Sequence, residues 1–533
     1  MSATVSSHNA LTFWDLVFRD GALTAEIIDH PYPGSGTEHD PFIVSWIPND
    51  PRNPLLFREP TKWAITMLVS INTMAAALVS SAFSGGLKEI IGYFDVSEEV
   101  ALLGISLYVL GFSLGPLLCS PLSELYGRRI VYVVGGIALT IFVASAPGSR
   151  NIQALIVFRF IAGCFGSVPM TLPAGVIADM FPALTRGRAM GIFVAAPFLG
   201  PTLGPIMGGF IAESAGWKWV QGFLALLVAA IWLATVFLQP ETYGPVLLRK
   251  RASALQRHTG QVHRSKLEDP NKTAKNAFRT AIVRPWVLLS REPIVLLLSL
   301  YTAIVYGVLY MFFAAFPIVY QQVRGWPEGR GALPFLGIVI GILLAVLYHD
   351  IIYSKYVKRA LSVAPNRLPP EERLPESFFS SIALPIGLFW FAWTNSASVH
   401  WMAPTAAGIP FGFGMVICFI SVFNYLADSY TIFAASVFAA NSLLRCAFGA
   451  AFPLFTTYMY VNLGIHWASS IPAFLALACT PMPFLFYKYG AWVRKRCHYA
   501  AEADAFLERM LANAAETEPQ ETEKEDIETG PSK

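Results

Sequence analysis

Charge is what this sequence has least of. Only 14% of its 533 residues are Asp, Glu, Lys or Arg, where a soluble globular chain carries about 25%. With 55% hydrophobic residues and a mean hydropathy of +0.51, the deficit excludes an ordinary soluble protein and indicates a membrane protein. A net charge of +3 leaves no general affinity for polyanions, so no nucleic-acid partner is expected. The six cysteines (Cys119, Cys164, Cys418, Cys446, Cys479 and Cys497) form no CxxC pair, and five fall in apolar runs. That distribution excludes a disulfide framework or a cysteine metal site. No G-x-x-x-x-G-K-[ST] loop occurs and the dipeptide Gly-Lys is absent, which excludes an ATP-driven pump of the P-loop kind. The first 62 residues lack a basic-then-apolar leader, so no cleaved signal peptide is expected and the first apolar run acts as an uncleaved anchor.

Long apolar runs are what the sequence does have. Runs near the ~20 residues that span a bilayer core cover 64–84, 100–120, 130–147, 152–177, 189–211 and 217–238. They resume at 294–316, 332–349, 378–394, 401–424, 432–460 and 467–488. The expectation is an all-α polytopic membrane protein with 12 transmembrane helices in two six-helix bundles. Its parts are an N-terminal segment 1–62, a first bundle 63–240, a basic central loop 241–293, a second bundle 294–490 and an acidic, disordered tail 491–533. The connections and ends on one side carry 31 Lys/Arg, whereas the other side holds five: Lys88, Arg150, Lys218, Arg324 and Arg330. The positive-inside rule then puts both termini in the cytoplasm. The one N-x-S/T sequon, Asn271-Lys272-Thr273, falls on that side and stays unglycosylated. An internal echo supports duplication: Gly163 precedes Asp179 of "IADMF" by sixteen residues, and Gly412 precedes Asp428 of "LADSY" by the same interval. Two related bundles of this kind place a site between them at mid-membrane.

The fifth run contains "GPTLGPIMGG". Gly200, Gly204 and Gly208 recur every four residues and form a smooth helix face, with Pro197, Pro201 and Pro205 in a stripe beside it. Small residues at this spacing let a neighbouring backbone approach closely, and each Pro removes a ladder hydrogen bond. The string GxxxGPxxGG, met by Gly200, Gly204, Pro205, Gly208 and Gly209, resembles the antiporter signature of the major facilitator superfamily's 12-spanner drug:proton antiporters. "SPLSELYGRR" is similar to that family's loop between spans two and three. There Gly127, Arg128 and Arg129 match, while Ser120, Glu124 and Leu125 replace the usual Gly, Asp and Arg. "LIVFRFIAGCFG" resembles its span-four motif through Arg159 and Gly163, with Ala162 in place of Gln. "PETYGPVLLRKRA", "NRLPPEERLPESF" and "FAANSLLRCAFGAAFPLF" resemble the fungal multidrug and toxin exporters.

The resemblance implies a proton-coupled exporter of small organic molecules (drugs, toxins or a secondary metabolite) working by alternating access in the plasma membrane as a monomer. Its partners are the cargo, protons and the bilayer, with no cofactor beyond the proton gradient. It also implies that the GRR turn latches the outward-facing state, pairing with Glu124 or Asp179, and that Arg159 helps to couple the proton. Arg159 lies about 10 Å into its helix, where an Arg costs at least ~2.5 kcal/mol to insert. Arg445 lies near mid-depth of the eleventh run and either binds an anionic group or pairs with backbone carbonyls. No Asp, Glu or His lies inside a run, so proton carriers are sought at run ends: Asp179, Glu213, His349, Asp350 and Asp428. Tyr306, Tyr310 and Phe313 recur on one helix face and, with Asn72 and Asn441, are candidates for a carboxylate-poor pocket suited to amphipathic compounds. An importer or facilitator of organic acids or sugars, and a transporter-like sensor, are the alternatives.

Overall fold

The computed structural model describes residues 12–267, 273–353, 355 and 369–509. Among them, eleven helices are long and apolar enough to cross a membrane: Glu59–Phe94, Glu98–Tyr126, Arg128–Gly148, Ile152–Met180, Thr185–Ala215, Trp217–Leu238, Pro293–Val323, Glu328–Ile352, Pro375–Thr394, Met402–Ser429 and Thr431–Arg496. They are numbered here in that order. Eleven rather than twelve arise because the expected runs 432–460 and 467–488 both fall inside the last segment. Its backbone leaves the helical region at Gly464 (φ 73°, ψ 163°), a conformation that costs least without a Cβ.

Local chemistry sets the breaks. Gly127 (φ 102°) and Gly216 (φ 90°) turn the chain between spans two and three and between five and six. The Asn151 side chain accepts from the Ala154 N–H at 2.8 Å and so caps span four. Span five remains one helix, Ala183–Ala215, in spite of its three internal prolines. Burial sorts the spans: 83% of the apolar window of span seven is buried, against 28% for spans three and six. Span seven is therefore central, whereas spans three and six turn their apolar sides outward, as a bilayer solvent requires.

The spans before residue 241 and those after 293 meet at both ends and between. At one end Glu98 Oε1 accepts from Thr457 at 3.1 Å and Glu213 Oε2 from the Gly329 N–H at 3.1 Å. At the other, Arg188 pairs with Asp350 at 3.2 Å. Between them, Ser80 Oγ lies 2.8 Å from Tyr310 OH.

Outside the spans, the N-terminal segment and the central loop, expected as separate parts, fold together. Strand Phe42–Val44 pairs in parallel with His263–Ser265, so the chain is not purely α-helical. Leu23, Ile27 and Val44 pack with Leu248 and Leu255 of the helix Gly244–Thr259. Arg251 meets Asp50 through both guanidinium nitrogens, at 2.5 and 3.0 Å, with the two side chains 2% and 0% exposed. The tail also departs from expectation: residues 498–509 are helical, Asp504 holds Arg494 at 2.7 Å, and the Tyr499 ring packs on Phe433. Alternating small and charged residues there provide an apolar stripe through Ala500 and Ala503. Residues 510–533 and the sequon's Asn271 and Lys272 lie outside the described residues.

Candidate functional site

The GRR turn is the most heavily bonded part of the basic end. Arg128 Nε lies 3.4 Å from Asp179 Oδ2, both largely buried, and its Nη1 donates to Ser123 Oγ at 2.6 Å. Asp179 also accepts from Thr242 Oγ1 at 3.2 Å. The expected Arg128–Asp179 pairing is present, and Glu124 is half-buried. What motif reading missed is Glu241, in "PETYGP". Its carboxylate, 1% exposed, accepts from the Arg128 N–H at 2.9 Å, Arg129 N–H at 3.1 Å, Thr242 N–H at 3.0 Å and Tyr243 N–H at 2.9 Å. The helix starting at Arg128 has unpaired N–H groups and the positive end of its dipole there, so a buried anion is stabilised. A Cβ at Gly127 would run into that same carboxylate. Arg52 reaches the Glu241 carbonyl at 3.3 Å and Asp20 at 2.9 Å, tying the turn to the N-terminal segment. The signal in the sequence was the lone carboxylate directly after a span.

The second half repeats part of this arrangement. Arg373, in the connection between spans eight and nine, lies 2.7 Å from Asp428 at the end of span ten. Gly163 and Gly412 are equivalent as well: a Cβ on Gly163 would meet the backbone of Tyr108 in span two, and one on Gly412 that of Ile338 in span eight. The sixteen-residue echo thus corresponds to two matching sets of contacts.

The two intramembrane arginines have contrasting surroundings. Arg159, 2% exposed, donates Nε to the Gly104 carbonyl at 2.5 Å and Nη2 to the carbonyls of Val79 and Ser80 at 3.1 and 3.0 Å. The first helix is α-helical only to Ala82, so its last carbonyls lack i+4 donors. Arg159 supplies them at the negative end of the dipole. Its guanidinium also lies over Phe83 (4.3 Å) and Tyr108 (5.1 Å). These contacts offset the insertion cost without a carboxylate. Arg445, 9% exposed, lies over Tyr306 (5.0 Å), Phe419 (5.7 Å) and Phe423 (6.0 Å), and its Nε is buried without a hydrogen-bond partner.

Between the arginines runs a polar thread through an aromatic centre. Tyr306 OH is 3.3 Å from Tyr310 OH, which meets Ser80 Oγ across the halves. Phe313 packs edge-on against Tyr310 at 5.0 Å. Phe198 of span five contacts Tyr306 and Phe419 at 6.5 and 4.7 Å. Asn441 donates to Ser299 and Thr302 on span seven at 3.3 and 2.7 Å, with its carbonyl oxygen unpartnered. Asn72 is placed elsewhere: it donates to Thr235 Oγ1 at 2.8 Å and ties span one to span six. Its i, i+1 neighbours gave no sign of which helix it faced.

Gly200, Gly204 and Gly208 face span one. A Cβ at Gly204 would lie 2.8 Å from the Ala82 nitrogen and on Ser81 Oγ, and one at Gly208 would collide with the Ala82 carbonyl. A Cβ at Gly209 would point to the other half, 2.9 Å from the Glu328 carbonyl, and Pro205 lies near Phe313 and Phe316. The stripe therefore seats span five on span one while its end touches the second half.

The profile of the Major Facilitator Superfamily matches residues 69–453. The multidrug transporter mdrA of Aspergillus fumigatus is 57% identical over 519 residues, covering 96% of this chain and 85% of its own. The MFS-type efflux pump MFS2 of Trichophyton rubrum is 56% identical, covering 97% and 87%. Among solved structures, the partially occluded inward-open xylose transporter XylE of E. coli superposes with a TM-score of 0.56 at 16% identity, over 80% of this chain and 99% of that one. A fold shared with so little sequence, and a profile spanning the GRR turn, Arg159 and the glycine stripe together, have one explanation: this chain belongs to the Major Facilitator Superfamily.

Proposed function

We propose that this protein exports small organic molecules by alternating access, driven by inward proton flow. The observation that carries the reading is the seam at mid-membrane, where Ser80, Phe198, Tyr306, Tyr310 and Phe419 from both halves close over one another. Opening such a seam to either side exposes an aromatic surface suited to amphipathic cargo, and the resemblance to proteins named efflux pumps sets the direction. In this reading the break at Gly464 separates two spans, for twelve in two sets of six, and the excess of Lys/Arg on one side supports cytoplasmic termini. The protein acts as a monomer in the plasma membrane, and the proton gradient supplies its energy. Asp179, held between Arg128 and Thr242, is the proton-sensitive group of the latch, and Arg159 fixes the helix ends that move with it.

The test uses yeast expressing the full chain, with extrusion of a panel of amphipathic compounds measured at clamped ATP. Extrusion above the empty-vector control should vanish when a protonophore collapses the gradient. Persistence under the protonophore would overturn proton antiport, and no extrusion of any compound would overturn export.

A further inference from the structure

Two arginines, Arg159 and Arg445, lie deep within the spans and away from their ends, and only one is accounted for by the fold. Arg159 gives its Nε and Nη2 to three carbonyls, two near the end of the helix Glu59–Ala82 in span one and one in span two. Arg445 has no comparable set. The thiol of Cys446 is one polar neighbour, a weak acceptor. Its Nε is buried with no partner, and its other contacts are the faces of Tyr306, Phe419 and Phe423. Among the described residues no salt bridge reaches Arg445. Ring faces attract a guanidinium but accept none of its five N–H donors in the way a carboxylate does. A guanidinium held this way keeps N–H donors in its plane that an anion could accept.

Its position says when the other half arrives. Tyr306 and Phe419, on which Arg445 lies, are the rings that Phe198 covers from the first half. The neighbouring Tyr310 is bonded to Ser80. Separating the halves uncovers the ring cluster and the guanidinium together.

We propose that Arg445 is the anion-binding residue of the cargo site, and that the cargo class it selects is amphipathic organic acids. A carboxylate or acidic enolate pairs in the plane of the guanidinium, where Arg offers parallel donors that Lys does not. The apolar body of the molecule lies against Tyr306 and Phe419. The inference rests on the export reading for its site, but equilibrium binding tests it independently of direction and coupling.

Full-length protein in detergent is titrated with 4-butylbenzoate and with 4-butylbenzamide, the same body without the charge. The parent should bind the acid at least tenfold more tightly than the amide. Arg445→Gln should erase that preference while leaving amide binding within twofold, and Arg445→Lys should retain an intermediate preference. The same probes are then followed in proteoliposomes under an inward proton gradient. Equal affinity for acid and amide in the parent, or an unchanged acid preference in Arg445→Gln, overturns the proposal. Loss of both ligands in Arg445→Gln and in Arg445→Lys, with monodisperse protein, makes Arg445 a structural residue and overturns it as well. Arg445-dependent acid binding without proton-driven movement of either probe sustains the anion site and sinks the export reading instead.

Discussion

At the scale of single residues, the decisive difference is between charges that the fold saturates and those it leaves open. Arg159 was legible from sequence as an expensive charge needing a partner, and the partner turns out to be the frayed end of another helix. Hydrogen bonds to charged groups contribute about 1.5–3 kcal/mol each, and three of them require a planar fork at fixed positions. Arg159→Lys should therefore keep the protein in the membrane, lower its thermal stability by a few degrees and cut proton-driven efflux at least tenfold. Counterflow of cargo in the same vesicles should survive better than active efflux. Undiminished stability and efflux in Arg159→Lys would show that the carbonyl contacts do not matter. Glu241 is the converse case: it follows a span in an unremarkable "PET" triplet, and nothing local tells that four N–H groups converge on it. Two of those donors come from residues more than 110 positions away, so the contact exists only once the chain has folded.

At the scale of elements, the glycine stripe on span five is legible in the sequence as one helix face, because a four-residue repeat on a helix fixes a face whatever the partner. The partner and the tolerance come from the structure. A Cβ at Gly204 meets backbone as well as the Ser81 hydroxyl, so even Ala forces the helices apart. Gly204→Ala should reduce efflux several-fold and Gly204→Val should abolish it at normal surface abundance. Gly222 on span six, where a Cβ would meet nothing within 4 Å, provides the control and should accept Ala without loss. Parent-like efflux by Gly204→Val would refute close packing as the function of the motif. The last helical segment shows the opposite limit. Its apolar pattern contained the division near residue 464, yet no long polar loop marks it, since one Gly with positive φ reorients the chain.

At the scale of the whole molecule, the halves are held by contacts of unequal strength. Arg188 and Asp350 are exposed at 68% and 41%, and such a pair contributes only ~0–1 kcal/mol, so it yields readily when the halves part. The N-terminal segment and central loop are joined far more firmly. Breaking a buried pair such as Asp50–Arg251 costs about 3–5 kcal/mol, because the remaining charge stays buried. Asp50→Ala should release the segment: amides in Phe42–Val44 and His263–Ser265 should lose hydrogen-exchange protection, while the spans keep theirs. Arg52 joins this unit to the Glu241 carbonyl, so efflux should fall in parallel. Retained protection at both strands would show that the unit does not depend on the pair.

The sequence by itself determined the membrane class, the order and approximate extent of the spans, the basic end, the glycine face and the two arginines inside apolar runs. All of these follow from composition and from short-range periodicity, which the bilayer and helix geometry convert directly into structure. Only the tertiary structure decided that residues 12–57 and 244–267 form one unit, that Glu241 closes the GRR turn, that Asn72 faces span six and that Arg159 is saturated while Arg445 is not. Each of these depends on which polar group meets which across the fold. Hydrogen bonds act over about 3 Å, and in this chain their partners are up to 359 residues apart.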